Sequence, residues 1–208
     1  CRCRRGPAAA DRSPGPIATG STWRRDGVGR SISRPLQGNG NIFTPDDLMA
    51  GKLPTGKVLI YDDDHYYMGG VLAELLAEQG CNVSLVTPAP LISYWSQFTL
   101  EQERIQAKLM RLGVKLYPQS VLSEIKKDSV RLSNVISDDE IELSCNGVVL
   151  VSDRRPNDAL FYDLKPAFDE GKIKSLRLIG DAEAPNIIAQ AVFSGHFHGF
   201  TERTARSR

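Results

Sequence analysis

The chain has 208 residues, of which 41% are hydrophobic and 25% are charged, a composition typical of a globular fold. Its formal net charge is +1, but eight arginines and only two aspartates fall in residues 1–35, which leaves the remainder mildly acidic. Such a body lacks the basic surface that nucleic acid requires. No apolar run approaches the roughly 18 residues that span a bilayer. We therefore expect neither a nucleic-acid nor a membrane partner.

The first two segments carry little regular structure. Residues 1–16 are rich in Arg, Pro and Ala and show no apolar period, which predicts a disordered or non-native start. An organelle transit peptide or a nucleic-acid-binding arm fits this segment less well, because it has no initial Met and no aromatic interleaving. Residues 17–55 form a connection punctuated by Gly, Pro and Asn, with a short helical turn at Thr44–Asp47.

Residues 56–153 predict a nucleotide-binding type of lobe. Short apolar runs alternate with segments whose apolar residues recur at helical spacing. In chain order these are a strand at Lys57–Tyr61, a helix at Met68–Gln79, a strand at Asn82–Thr87, a helix opened by Thr99 with Gln102 at capping-box spacing, and a strand at Val114–Tyr117. This alternation predicts an α/β fold with a parallel, doubly wound, Rossmann-like sheet of the NAD(P) type.

After Tyr117 the sequence consists of short apolar runs that are separated by residues typical of turns. These runs predict an antiparallel meander that covers the sheet and ends in a buried apolar strand: Val121–Lys126, Ser129–Ser133, Ile141–Ser144 and Gly147–Val151. Residues 154–200 then predict a short helix, a last strand and a last helix: Asn157–Leu164, Leu176–Ile179 and Pro185–Phe200. Residues 201–208 are interpreted as a tail.

The turn after the first strand lacks the glycines that hold a pyrophosphate. A dinucleotide-binding turn needs Gly at three positions, and counted from Lys57–Tyr61 these positions are Asp62, Asp64 and Tyr67. The carboxylates would lie where phosphate charges sit, and the tyrosine ring where only hydrogen fits. The second strand ends at Val86-Thr87-Pro88, without the acidic or basic residue that contacts a ribose. We interpret the lobe as one that no longer binds a dinucleotide in the usual way.

We expect no metal site. Three consecutive carboxylates at Asp62–Asp64 cannot all face one point, and His196 and His198 diverge when they lie on a helix. Among the four cysteines there is no Cys-x-x-Cys pair. Cys81 and Cys145 are therefore interpreted as small buried residues of a reducing compartment, for which the cytoplasm is the expected location.

Three short motifs occur in an order that identifies a family. Ala18-Thr19-Gly20 resembles the strand end at which two-lobe flavoproteins pass from the flavin-type to the nicotinamide-type lobe, Val148–Asn157 resembles the return crossing, and Gly180-Asp181 the strand end that completes the first lobe. Further stretches make the match specific: Thr19–Arg30, Ile42–Met49, Tyr61–Gly70, Leu85–Leu109 and Gly180–Gly195. Together they resemble the C-terminal part of the trimethylamine, dimethylamine and histamine dehydrogenases, relatives of 2,4-dienoyl-CoA reductase.

This resemblance implies a parent protein larger than the chain. In that family an N-terminal barrel holds FMN and a 4Fe-4S cluster and oxidises the amine, and an electron-transferring flavoprotein accepts the electrons. One C-terminal lobe holds ADP rather than a working FAD. The barrel, the cluster cysteines and the first glycine-rich turn of the flavin-type lobe have no match in the sequence. The resemblance thus predicts a fragment whose partners are the remaining barrel and flavin-type lobe, in a homo-oligomeric parent.

The predicted site is accordingly small. The resemblance assigns no catalytic residue to the chain and places the cofactor contacts at Gly180 and Asp181, with Ala18, Thr19 and Gly20 completing them, so that at most a weakly held ADP or FAD is expected. Asp181 has a second interpretation as a helix cap. Two alternative functions stay open: a stand-alone regulatory module that binds ADP or a dinucleotide, and an NAD(P)H-dependent reductase of the dienoyl-CoA type.

Overall fold

The computed structural model describes residues 21–25, 36, 38 and 40–206. The described residues divide into two compact units, one within residues 22–155 and the other within residues 156–206. The predicted contacts Ala18, Thr19 and Gly20 lie outside the described residues.

Among its described residues, the first unit contains ten strands and three α-helices. Its strands are β1 (Ser21–Trp23), β2 (Ile42–Phe43), β3 (Lys57–Asp62), β4 (Asn82–Val86), β5 (Lys115–Tyr117), β6 (Ser120–Ile125), β7 (Ser129–Asn134), β8 (Glu140–Ser144), β9 (Gly147–Val151) and β10 (Arg154–Pro156). Its helices are α1 (Pro45–Met49), α2 (Met68–Glu78) and α3 (Gln102–Arg111). The seven strands predicted for this unit and the helix predicted at Met68–Gln79 are found with boundaries shifted by at most one residue.

Five strands form a parallel sheet in the order β2-β9-β3-β4-β5. Its centre is β3, which pairs with β4 through Tyr61 and Val86 and with β9 through Tyr61 and Leu150. From Val58 to Asp62 every residue of β3 is buried, as is all of β9, which explains the continuous apolar runs in the sequence. The prediction of a parallel α/β sheet is confirmed.

A three-stranded antiparallel sheet, ordered β6-β7-β8, packs on the parallel sheet. β9, the last apolar run of the predicted meander, instead lies in the parallel sheet between β2 and β3. Two cores result, one against α2 and α3 and the other against the antiparallel sheet. The first contains Ile60, Leu72, Leu76, Leu85 and Val149, and the second contains Leu59, Tyr61, Leu122, Leu132 and Leu150.

The prediction that Thr99 opens a helix was wrong. Thr99 is the last residue of a 3₁₀ helix, Tyr94–Thr99, and its hydroxyl donates to the carbonyl of Ser96 at 3.0 Å. Leu100 then takes a left-handed conformation with φ of 61°, which separates the two helices. α3 begins only at Gln102, whose side chain donates to the carbonyl of Ile92. The capping-box spacing was therefore coincidental.

The second unit consists of α4 (Ala159–Asp169), a 3₁₀ turn at Gly180–Ala182 and α5 (Ile188–Arg206). The predicted strand at Leu176–Ile179 is absent from it, because a strand needs a hydrogen-bonded neighbour and no described residue pairs with this segment. None of the residues from 156 to 199 is buried. Within the described part of the chain, no helix has both the length and the apolarity to cross a bilayer.

Candidate functional site

The candidate site is the turn between β3 and α2, at the carboxyl end of the parallel strands, where nucleotides bind in this class of sheet. Asp62 and Asp63 are fully buried there. The backbone N–H groups of Asp63 and Asp64 both donate to the carbonyl of Val151, at 2.8 and 3.2 Å. Backbone donors that would hold a phosphate in a dinucleotide-binding turn are thus bonded within the protein.

His65 ties the rest of the turn together. It has a left-handed backbone with φ of 64°, and its N–H donates to Oδ1 of Asp62 at 3.1 Å. Its ring lies between two further groups: Nδ1 is 3.2 Å from the hydroxyl of Thr87, and Nε2 is 3.4 Å from Oδ1 of Asp63. All four residues are buried, so the arrangement of carboxylate, imidazole and hydroxyl is closed to a substrate and stabilises the turn.

Asp62 packs against the start of α2. A Cβ atom added to Gly69 would lie 2.5 Å from the Asp62 carboxyl carbon, so only glycine fits there. The Oδ2 atom of Asp62 is buried and has no hydrogen-bond partner among the described residues. Burial raises the pKa of Asp62 to about 7, the nearby His65 opposes this rise, and Asp64 adds to it. The carboxyl group of Asp62, beside the start of α2, is therefore poorly solvated.

The expected clash at Tyr67 does not occur. Its hydroxyl forms hydrogen bonds with Thr99, at 2.8 Å, and with the carboxylate of Glu101. The bond from Tyr67 is the main reason that the pKa of Glu101 lies below its ordinary value. The close approach of helix and strand is made by Gly69 instead. The glycine expected at position 67 is thus found two positions later, at Gly69. The pair Gly69-Gly70 is the sequence signal for this shift.

Sequence reasoning also missed several buried hydroxyl groups around this turn. The hydroxyls of Tyr61, Ser93 and Ser152 are inaccessible and lack a hydrogen-bond partner among the described residues. In the sequence, Thr87 stands out only because it is neither acidic nor basic at the end of the second strand. In the structure its hydroxyl contacts His65 and accepts the N–H of Ala89 at 3.3 Å. No spacing rule places these residues together, since they come from four separate segments of the chain.

Gly180 and Asp181 form a turn before α5. Gly180 has φ of 58° and its N–H donates to the hydroxyl of Ser194 at 3.2 Å, while Asp181 accepts the N–H of Asn186 at 3.3 Å. Asn186 lies two residues before the start of α5, so this bond closes the turn, and the choice between a helix cap and a cofactor contact for Asp181 stays a prediction. Because the other three predicted contacts lie outside the described residues, the assignment of all five to a cofactor stays a prediction.

Among the residues that the structure describes, no group of three or more His, Cys, Asp or Glu side chains could hold a metal ion. At the other candidate pair, Nδ1 of His198 lies 3.0 Å from the guanidinium of Arg177. Cys145 is buried, and burial raises the pKa of its thiol. Cys81, predicted to be buried, is only half-buried, with its thiol 3.5 Å from the carbonyl of Pro54.

A parallel sheet with helices on one face and an antiparallel sheet on the other defines an α/β domain. The chain belongs to the family of OYE-like second alpha/beta domains, whose model matches residues 43–162. This membership covers the sheet, the altered turn and the start of α4.

The relatives include amine-oxidising flavoenzymes, as the sequence motifs had indicated. Dimethylamine dehydrogenase of Hyphomicrobium sp. (strain x) is 32% identical in an alignment of 206 residues that covers 86% of this chain and 28% of that protein. Histamine dehydrogenase from Rhizobium sp. 4-9 superimposes with a TM-score of 0.82 at 40% identity, covering 87% of this chain and 29% of that one.

A third relative is 6-hydroxypseudooxynicotine amine oxidase from Pseudomonas geniculata N1, with a TM-score of 0.80 at 34% identity over 86% of this chain and 27% of that one. The chain therefore spans less than a third of each of these relatives and matches the C-terminal part of the dehydrogenases.

Proposed function

We propose that the chain is the C-terminal, nucleotide-type region of an amine-oxidising flavoprotein that contains FMN and a 4Fe-4S cluster, and that it holds no catalytic centre of its own. The observation that carries this proposal is the closed turn after β3, where the backbone N–H of His65 donates to Asp62 and the His65 ring contacts Thr87 and Asp63. In this proposal, a lobe with this turn keeps the shape of a nucleotide-binding fold because that shape packs with the rest of the protein, and it does not use the turn to bind a nucleotide.

NAD(P) does not fit the residues of this turn. Its pyrophosphate would meet two buried carboxyl groups, and like charges that are partly desolvated repel by about 1 kcal/mol or more. The backbone N–H groups of Asp63 and Asp64 are already bonded to Val151. The reductant of the proposed parent is thus an amine and not a nicotinamide, which argues against the reductase alternative.

ADP or FAD would be held at Gly180 and Asp181, together with Ala18, Thr19 and Gly20. In this role Asp181 would accept a hydrogen bond from a ribose or ribityl hydroxyl, and the start of α5 would face a phosphate. Asp181 is half-exposed, so its carboxylate can reach a ligand. Within this chain the proposal assigns these residues at most weak binding, because they form only half of a site.

The second unit supports the presence of further protein around it. On α5 the side chains of Val192, Phe193 and Phe197 are exposed by 65, 64 and 52%, and Leu160 and Tyr162 on α4 are exposed similarly. An apolar surface of this kind normally packs on another protein surface. In the proposal, the surface that covers α4 and α5 belongs to the barrel and flavin-type lobe of a cytoplasmic, homo-oligomeric parent. This parent passes its electrons to an electron-transferring flavoprotein.

Absorption spectroscopy of the purified chain tests this proposal. The chain alone should show no flavin or iron–sulfur absorbance and no spectral change when dimethylamine or histamine is added. Pure chain reconstituted with FMN should also show no bleaching by either amine. A bound flavin that bleaches when an amine is added would place a catalytic centre in this chain and overturn the proposal.

A further inference from the structure

A second feature lies on the other side of the lobe, at the amino-terminal edge of the parallel sheet. A cavity of about 100 Å³ opens there between β3, β4 and β5 and the strand β8 of the antiparallel sheet. Its polar lining comes from Lys57, Asn82, Ser84, Lys115, Tyr117 and Ser144. A space of this volume admits a tetrahedral oxyanion.

The charge of the lining is of one sign. Two lysines contribute to the cavity and no acidic residue does, although the residues after position 35 carry a net negative charge. Lys115 is exposed, and its ammonium group has no hydrogen-bond or ion-pair partner among the described residues. A pair of ammonium groups beside amide and hydroxyl donors is suited to bind an anion.

Lys57 is held in place by the loop before β9. Its backbone N–H donates to the side-chain oxygen of Asn146 at 2.9 Å, and its carbonyl accepts the N–H of Asn146 at 2.7 Å. Its ammonium group donates to the hydroxyl of Ser144 at 2.8 Å, which leaves two further donor positions. Across the sheet, Lys115 stands beside Ser84 in the pairing of β4 and β5. The backbones of both lysines are therefore held in place, because both residues lie on strands of the parallel sheet.

We propose that this cavity binds a small oxyanion of the phosphate class, with Lys57 and Lys115 as its charged contacts and Ser84 and Asn82 as neutral donors. The anion is either free phosphate or the terminal phosphate of a larger molecule whose remainder stays outside the cavity. The site is separate from the closed turn, which lies at the opposite end of the same strands, and it does not depend on the function proposed above.

Phosphate titration of the whole chain, followed by amide chemical shifts at low salt, tests the site. Saturable shifts are expected at Lys57, Ser84, Lys115 and Ser144, and addition of salt should weaken them. Mapping by residue is essential, because the arginines of residues 1–35 attract phosphate without a site. Repeating the titration with AMP distinguishes the two sources: similar affinity with the same shifted amides means that the cavity accepts a terminal phosphate.

Lys57→Met and Lys115→Met should each weaken binding about tenfold, the loss expected for one partly screened charge contact. Lys115→Arg should restore it. Lys174→Met removes an exposed lysine from the other unit and should leave the affinity unchanged. Because these side chains are exposed, the variants should keep the amide spectrum of the folded chain. The proposal is overturned if the cavity amides do not shift, or if the double variant Lys57→Met/Lys115→Met binds phosphate as the original does.

Discussion

Replacing Asp62 by Asn should stabilise the first unit, and more so at high pH. Burial raises the pKa of Asp62 from its ordinary value of 3.8 to about 7 in the folded state. A raised folded-state pKa means that the contribution of this group to stability is complete below pH 3.8 and is lost as the pH rises to 7. With about 1.4 kcal/mol per pH unit, the ionised carboxylate costs roughly 4 kcal/mol above pH 7.

Asparagine has the same shape and carries no charge, and its oxygen can still accept the N–H of His65. Asp62→Asn should therefore gain up to about 4 kcal/mol over the original chain at pH 8, but only about 1.5 kcal/mol at pH 5. Charged and titratable neighbours that face the carboxyl group, namely His65, Asp63, Asp64 and Tyr61, are unchanged in the variant, so their own pH dependence largely cancels in the difference.

Urea unfolding followed by tryptophan fluorescence measures this difference. Both tryptophans, Trp23 and Trp95, belong to the first unit, so the signal reports on that unit alone. As a control for the loss of one carboxylate, Asp138→Asn changes an exposed loop aspartate in a left-handed conformation that asparagine tolerates. An Asp62→Asn advantage that stays constant or shrinks between pH 5 and pH 8 would refute the reasoning.

Three further predictions concern the same turn and the second unit. Gly69→Ala should destabilise the first unit by about 1–3 kcal/mol in urea, because the new Cβ overlaps Asp62, whereas Gly195→Ala on α5 meets no atom within 4 Å and should not destabilise the second unit. Tyr67→Phe should raise the pKa of Glu101 toward its ordinary value in a carbon-detected NMR titration; no change would mean that the hydrogen bond is absent in solution. Phe193→Ser should reduce the fluorescence of a bound hydrophobic dye without changing the tryptophan-detected unfolding of the first unit, and an unchanged dye signal would contradict the exposure of that face.

The sequence was sufficient for the parallel sheet because its central strands, β3 and β9, are buried on both faces. The apolar run at Lys57–Tyr61 and the periodic segment at Met68–Gln79 are local signals, and the structure places β3 and α2 within one residue of each prediction. The missing strand at Leu176–Ile179 shows the limit of such signals. An apolar run indicates a strand only where a neighbouring strand can bond to it, and no described residue supplies one.

The altered turn was predicted in outline but not in mechanism. That Asp62 and Asp64 replace glycines follows from counting along the chain. That His65 bridges Asp63 and Thr87 depends on a contact between residues 22 positions apart, which neither spacing nor propensity specifies. The role of Gly69 could not be predicted for the same reason. Gly69 is required because it lies against the side chain of Asp62, and only the three-dimensional packing defines that contact.

Calorimetric titration of the chain with NADH and NADPH tests the central claim most directly. The claim is that the turn closed by Asp62, Asp63 and His65 no longer accepts a dinucleotide. The account predicts no saturable heat with either nicotinamide cofactor, at ligand concentrations well above those at which a working lobe is saturated. Stoichiometric binding of either cofactor, with shifted amide resonances at the turn between β3 and α2, would contradict it.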